Sequence, residues 1–347
     1  MNINDIHGGD IDSAAREFGI ARSQWLDLST GIAPWSWPIP ALPQAVWQRL
    51  PAVQCPLSQP AADYYGCAVS AVLAVPGSQF AIQTLPALFK ESRVAVPSFG
   101  YCEHRKAWEA SQHQLLTYCD ASIDALDAQI CAGEIDILVV INPHNPAATR
   151  LSRQRLLHWL GVLESRGGTL IVDEAFMDAE AEASLAPLCP RRGLIVLRSL
   201  GKFFGLAGIR LGFVLADTSV QEQLRAQLGP WAVSGPAQFV GAGALLDRPW
   251  QQSQHQRIDL IKAAQVALLR EFFIGEEACR VNQGPLFISV FLPNKTAESL
   301  ALRLARQGIL VRRFALADEG CLRFGLVPKV GDLVRLQDAI VNGATKF

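Results

Sequence analysis

The sequence predicts an α/β fold: a mostly parallel sheet with helices on both faces, followed by a smaller α+β domain. Three observations predict it. Short apolar runs alternate with helical patterns through the middle of the chain. Polar motifs stand directly after three of those runs. From Leu286 onward the order changes to strand, helix, strand, strand.

The apolar runs are residues 93–96, 135–141, 169–172 and 193–197, each short, rich in valine, isoleucine and leucine, and without an alternating polar face. Such runs suit strands covered on both sides. Between the second and third, residues 152–163 place apolar side chains at helical spacing, and Gly167-Gly168 stops them. Strands separated by helices specify crossover connections and a parallel sheet. Later, residues 286–292 read as a strand, 297–307 as a helix, and 308–313 and 321–326 as two more strands. A linking helix is expected to start after Pro236 and run into the 270s. The expected organisation is an N-terminal arm at 1–44 packing with the small domain, a large domain at 45–240, and the linking helix and small domain at 241–347.

The chain has 347 residues, half of them hydrophobic and 18% charged, with a formal net charge of −1. That composition buries a sizeable core and gives no electrostatic reason to bind nucleic acid or an anionic membrane. No apolar run is long enough to span a bilayer. The opening Met1-Asn2-Ile3-Asn4-Asp5-Ile6-His7 lacks the basic and apolar regions of a signal peptide, so a cytoplasmic protein is expected. Eight cysteines include no CxxC pair, so neither a zinc site nor a disulfide framework is indicated.

In open parallel sheets, ligands gather at the carboxyl ends of the strands. Three motifs fall there: Asn142-Pro143-His144-Asn145-Pro146, Asp173-Glu174-Ala175-Phe176, and Ser199-Leu200-Gly201-Lys202 with Arg210 eight residues on. Lys202 is the most telling. Desolvation disfavours an ammonium and leaves more free amine, the form that attacks carbonyls. Ser199 and Arg210 offer a hydroxyl and a guanidinium, which suit a phosphate. An amine nucleophile beside a phosphate cradle is what pyridoxal phosphate needs. Asp173 could hold the protonated pyridine nitrogen; alone it reads equally as a helix cap or a metal ligand. Asn145 could donate to the ring's phenolate oxygen, or simply form an Asx turn. Phe99 could stack on a flat ring or fill the core. Ser78 and Gln79 follow Gly77 at a helix start, a geometry that binds phosphate or only caps the helix. Arg323, on an apolar strand, requires an anionic partner, either a ligand or a structural carboxylate. His7 lies beside two glycines and could reach a ligand or stay solvated. Glu174 points elsewhere along the strand and reads as structural.

Two other motifs fail. Ser199-Leu200-Gly201-Lys202 has the SxxK form, but the chain contains neither Ser-Asp-Asn nor Lys-Thr-Gly. Gly201-Lys202 lacks the hydroxyl residue and glycine spacing of a P-loop.

Taken together, the NPxNP-like turn at 142–146, the Asp173-Glu174-Ala175-Phe176 segment, the Ser199-to-Arg210 stretch, Pro230-Trp231-Ala232-Val233-Ser234 and Arg323 resemble the fold-type I, aspartate-aminotransferase-like pyridoxal phosphate enzymes. Within them, His7-Gly8-Gly9-Asp10-Ile11, the segment Leu26 through Pro34, and Phe176 are similar to threonine-phosphate decarboxylases of cobalamin biosynthesis. The resemblance implies decarboxylation of L-threonine O-3-phosphate to (R)-1-amino-2-propanol O-2-phosphate. An aminotransferase of the histidinol-phosphate type is the alternative. It further implies that Lys202 carries the cofactor and returns a proton, that Asp173 and Asn145 hold its ring, and that Ser78, Gln79, Ser199 and Arg210 hold its phosphate, with Phe99 on the ring. His7, Gly31 and Arg323 are then expected at the substrate, and a homodimer is expected. Phe176 stands where many relatives carry tyrosine. Leu50-Pro51 stands where many carry Tyr-Pro, a contact that Tyr64 or Tyr65 could replace.

Overall fold

The computed structural model describes residues 8–51, 56–273, 279–316 and 319–341. His7 lies outside the described residues. Twelve strands follow in chain order: β1 (Leu26–Leu28), β2 (Val72–Val75), β3 (Arg93–Pro97), β4 (Gln114–Tyr118), β5 (Ile137–Ile141), β6 (Thr169–Asp173), β7 (Leu194–Ser199), β8 (Gly212–Leu215), β9 (Arg280–Gln283), β10 (Phe287–Pro293), β11 (Ile309–Ala315) and β12 (Glu319–Gly325). The chain divides into two compact units. A central unit holds Ser36–Asn145 and Thr149–Trp250. A second unit holds Met1–Trp35, Pro146–Ala148 and Gln251–Phe347.

The central unit is built on a seven-stranded sheet in the order β2-β8-β7-β6-β5-β3-β4. All neighbours pair in parallel except β8, which runs against both β7 and β2. The four expected runs are β3, β5, β6 and β7. On one face, Ile137, Val139, Ile171, Ile195 and Leu197 pack with Ile82, Trp108 and Leu224 from covering helices. The alternate residues Leu138, Val140, Leu170, Val172 and Val196 are buried as well. Both faces are therefore dry, which is why the runs show no polar alternation. The helix Arg153–Glu164 joins β5 to β6 and buries Leu156, Trp159, Leu160 and Leu163. Ser152 caps it by accepting a hydrogen bond from the Arg155 amide at 3.2 Å.

The expected single linking helix is two helices, Gly235–Leu246 and Arg248–Phe273. Asp247 makes the break. One of its carboxylate oxygens accepts from the Trp250 amide at 3.1 Å, and the other accepts from the Trp37 indole at 3.0 Å. An acidic residue two before a proline, Asp247-Arg248-Pro249, is a helix-start signal.

The second unit holds a five-stranded sheet in the order β1-β11-β12-β10-β9. Strands β9 to β12 are antiparallel neighbours, while β1 joins in parallel with Leu26 opposite Ile309. The helix Asn294–Arg306 crosses from β10 to β11 and buries Leu300 and Leu304. No helix among the described residues is long and apolar enough to cross a membrane.

Candidate active site

Sheet register gathers the motifs of the central unit. Ile141 lies opposite Asp173, and Asp173 opposite Leu197, so the 142–145 turn and the Asp173 carboxylate share one sheet edge. From β7 the chain passes through residues 200–211 and returns antiparallel as β8, with Ser199 opposite Gly212. The whole Ser199-to-Arg210 loop is thereby held at the carboxyl end of β7. Gly212 lies opposite Val75, which brings Gly77 and Ser78 to the same edge. Of the expected site residues, Ser78, Gln79, Asn145, Asp173, Ser199, Lys202 and Arg210 line one cavity. Phe99, at the end of β3, packs against the His144 ring at 6.2 Å. The aromatic residues in the cavity lining are Tyr101 and Phe176.

Asp173 is 4% exposed. One of its oxygens accepts from the Ala175 amide at 3.0 Å, and the other lies 2.9 Å from Nε2 of buried His104. A carboxylate can only accept, so the proton of this pair sits on His104 Nε2. The result is a fixed anion at the floor of the cavity, suited to a cationic N–H of a flat heterocycle. Ile141 and Ala175 add apolar surface beside it. The Lys202 amine lies 5.6 Å from the centroid of the Phe176 ring. A phenyl ring shields the amine and offers it no hydrogen bond. Tyr101 donates to the Gln79 side-chain carbonyl at 2.8 Å. Burial, with the Glu103 and Asp173 carboxylates, pushes the Tyr101 phenol up to about 12, so it remains a donor at neutral pH. The phenol also orients Gln79 on the phosphate side.

The phosphate side is shaped by backbone. Gly77 has φ +78°, and a Cβ there would sit 2.8 Å from Arg210 Nη2. A Cβ on Gly212 would sit 2.5 Å from the Ser78 amide nitrogen. Arg210 itself adopts a left-handed φ of 53°. Two side-chain-free positions thus keep a small hollow open between the Ser78 and Gln79 amides, the Ser199 hydroxyl and the Arg210 guanidinium. This donor set fits a phosphate group, and with Asp173 and Lys202 it fits pyridoxal phosphate. Gly77→Ala is expected to weaken cofactor binding by about tenfold or more, since alanine at positive φ is strained and its methyl displaces Arg210. Equilibrium dialysis of the cofactor measures this.

Glu174 turns away, as its place on the strand suggests. It accepts from the Leu185 amide at 2.8 Å and pairs with buried Arg198 at 2.7 Å. Asp178 is the other carboxylate on Arg198. The Arg198 guanidinium also lies 4.5 Å over the Tyr65 ring, which is buried beneath it. Tyr65 is therefore a core residue.

In the second unit, Arg323 lies opposite Arg312 across β12 and β11. Arg323 is 8% exposed and donates to the Ser29 carbonyl at 2.5 Å. Burial and the neighbouring Arg312 charge lower its guanidinium to about 10. It stays charged at neutral pH, and an anion beside the pair would relieve both effects. The glycines after His7 dock here as well. The Gly9 amide donates to the Ser29 hydroxyl at 2.7 Å, and a Cβ on Gly8 would sit 2.7 Å from the Ser29 carbonyl. Gly31 is buried in the loop after β1.

Sequence reasoning missed Tyr101 and His104, and it named Gly77 and Ala175 only as parts of their motifs. Gly77 was visible as the glycine between a strand and Ser78. His104 gave no signal, because its partner is 69 residues away.

A buried carboxylate, a lysine on a strand-return loop and a phosphate hollow at one sheet edge define an enzyme of the aminotransferase type. The chain matches the aminotransferase class I and II family over residues 53–340 and belongs to it. Among curated relatives, it is 42% identical to the threonine-phosphate decarboxylase of Pseudomonas aeruginosa over 97% of each chain. It is 39% identical to that of a Sinorhizobium species over 99% of each chain. Among solved structures, a histidinol-phosphate aminotransferase from Sinorhizobium meliloti in complex with pyridoxal 5'-phosphate superposes with a TM-score of 0.81 at 17% identity, covering 99% of this chain and 97% of that one.

Proposed function

We propose that this chain is a pyridoxal phosphate-dependent carboxy-lyase. It releases CO2 from L-threonine O-3-phosphate to give (R)-1-amino-2-propanol O-2-phosphate, the linker unit that cobalamin assembly consumes. The carrying observation is the near-full-length match to two threonine-phosphate decarboxylases, on a chain whose Lys202, Asp173 and Arg210 line one cavity.

When bound, pyridoxal phosphate supplies an electron sink for the pair released by a breaking Cα bond. The chain's residues do the rest. Lys202 would hold the cofactor's aldehyde through its amine, and the same amine would deliver a proton to Cα. Asp173, oriented by His104 and the Ala175 amide, keeps the ring nitrogen protonated. Asn145 donates to the ring oxygen. Phe176 leaves that oxygen without the phenol that many relatives supply. Ser78, Gln79, Ser199 and Arg210 grip the phosphate, and Tyr101, in place of the expected Phe99, borders the cavity. Arg323 takes a substrate anion with Arg312 beside it, near buried Gly31. A substrate with a carboxylate and a phosphate suits two guanidiniums.

The deciding experiment supplies the holoenzyme with O-phosphothreonine and measures CO2, and in parallel supplies histidinol phosphate with 2-oxoglutarate and measures amino transfer. Release of CO2 with no transfer is expected. Transfer without CO2 overturns the reading in favour of an aminotransferase.

The protein is proposed to act as a homodimer. Trp47, Leu50 and Trp231 of the central unit are each more than half exposed and border one surface hollow, and a clustered apolar surface of this kind suits a partner subunit. Trp231→Glu is expected to shift the species seen by analytical ultracentrifugation from dimer toward monomer; a parent protein that sediments as a monomer refutes the dimer. A cytoplasmic location is proposed: Cys67, Cys102, Cys119, Cys131, Cys189 and Cys321 carry no disulfide.

A further inference from the structure

Asp127 and Cys131 stand one turn apart on the helix Ile123–Ala132, and His158 stands on the neighbouring helix Arg153–Glu164. We propose that these three side chains form a binding site for a thiophilic divalent cation of the zinc type. Nothing in the proposed decarboxylation uses these residues.

The geometry carries the proposal. Cys131 Sγ lies 3.7 Å from His158 Nε2. A tetrahedral zinc ion with bonds of about 2.3 Å to sulfur and about 2.0 Å to nitrogen holds those two atoms about 3.6 Å apart. All three donor atoms lie within 4.8 Å of one another. In a closed tetrahedral site that separation is about 3.3–3.6 Å, a difference that a side-chain torsion covers.

The carboxylate is already oriented. The Trp159 indole donates to Asp127 Oδ1 at 2.6 Å, the kind of outer contact that fixes a ligand's direction. Cys131 and His158 are exposed, so an ion has a path in and water completes its coordination. One thiolate, one imidazole and one carboxylate favour zinc, cobalt or copper over magnesium or calcium. Binding displaces the thiol proton to solvent, so affinity rises with pH. Without metal, the same contact is only a weak thiol–imidazole hydrogen bond, and that is the competing account.

The test titrates the cofactor-loaded enzyme with Co2+ and follows the near-ultraviolet thiolate-to-cobalt band, then competes with Zn2+. One cobalt per chain with that band is expected. Cys131→Ser and His158→Ala should each abolish the band and weaken zinc binding at least tenfold, with turnover of O-phosphothreonine unchanged. Metal held by the cofactor or by other thiols would survive both substitutions. Absence of the band, or a band that persists in His158→Ala, overturns the site. The readout is metal binding, so it stands apart from whether the enzyme is a decarboxylase.

Discussion

Lys202→Ala is expected to abolish catalysis, with CO2 release from O-phosphothreonine falling by more than about 10³-fold. The amine has two proposed tasks: to hold the cofactor's aldehyde and to return a proton to Cα. Removing it deletes both, and no other lysine lines the cavity among the described residues. The Ser78, Ser199 and Arg210 side chains, proposed to hold the phosphate, are untouched. The variant should therefore still bind cofactor, more weakly, while borohydride no longer fixes it to the protein. Mass spectrometry of the reduced protein reads this directly: the parent gains one cofactor mass and the variant gains none. The fold should survive, because Lys202 is only partly buried and its amine lies over the Phe176 ring. A variant still labelled at another lysine, with turnover kept, would move the nucleophile elsewhere.

How much of this was legible in the sequence follows from burial and range. β5, β6 and β7 were visible because both faces of the sheet are covered, which writes a strand as an unbroken apolar run. Their carboxyl ends carried the polar motifs, so Asn145, Asp173 and Lys202 could be placed on one edge before any coordinates. β2 and β8 were not visible. Each has only four residues, and β8 is hidden behind the glycine-rich loop that makes it antiparallel. β1 is three residues long and is a strand only because β11 accepts it. The break at Asp247 was written in Asp247-Arg248-Pro249, but the helical pattern on either side concealed it. His104 could not be found at all. Nothing in Tyr101-Cys102-Glu103-His104 distinguishes it from a surface histidine until the sheet brings Asp173 alongside. The Arg323–Arg312 pairing likewise needed the register of two strands. Residues whose role depends on strand ends were readable, whereas residues whose role depends on a partner across the fold were not.

Asp173→Asn is the second large effect, and it separates electronic tuning from cofactor binding. The amide keeps the shape of the carboxylate and an oxygen for the His104 proton, so the buried imidazole retains an acceptor. Alanine would leave His104 Nε2 unsatisfied, a cost of about 1–3 kcal/mol that would confuse folding with catalysis. The charge is lost, together with the second acceptor: the Ala175 amide, which now donates to Oδ1 at 3.0 Å, meets an NH2 instead. A neutral amide does not keep a heterocycle nitrogen protonated, and the ring then draws far less electron density from the breaking Cα bond. Turnover is expected to fall by about 10²–10⁴-fold, the scale of a misplaced proton in a catalytic site. Retention of cofactor should change much less, because Ser78, Ser199, Arg210 and Lys202 are all intact. The expected signature is a coloured, borohydride-labelled protein that barely releases CO2. Turnover within a few fold of the parent would show that Asp173 holds His104 in place rather than the ring nitrogen. Loss of colour together with activity would instead make Asp173 a binding anchor. Comparing the two losses in one preparation tells whether the buried Asp173–His104 pair acts on electrons or only on position.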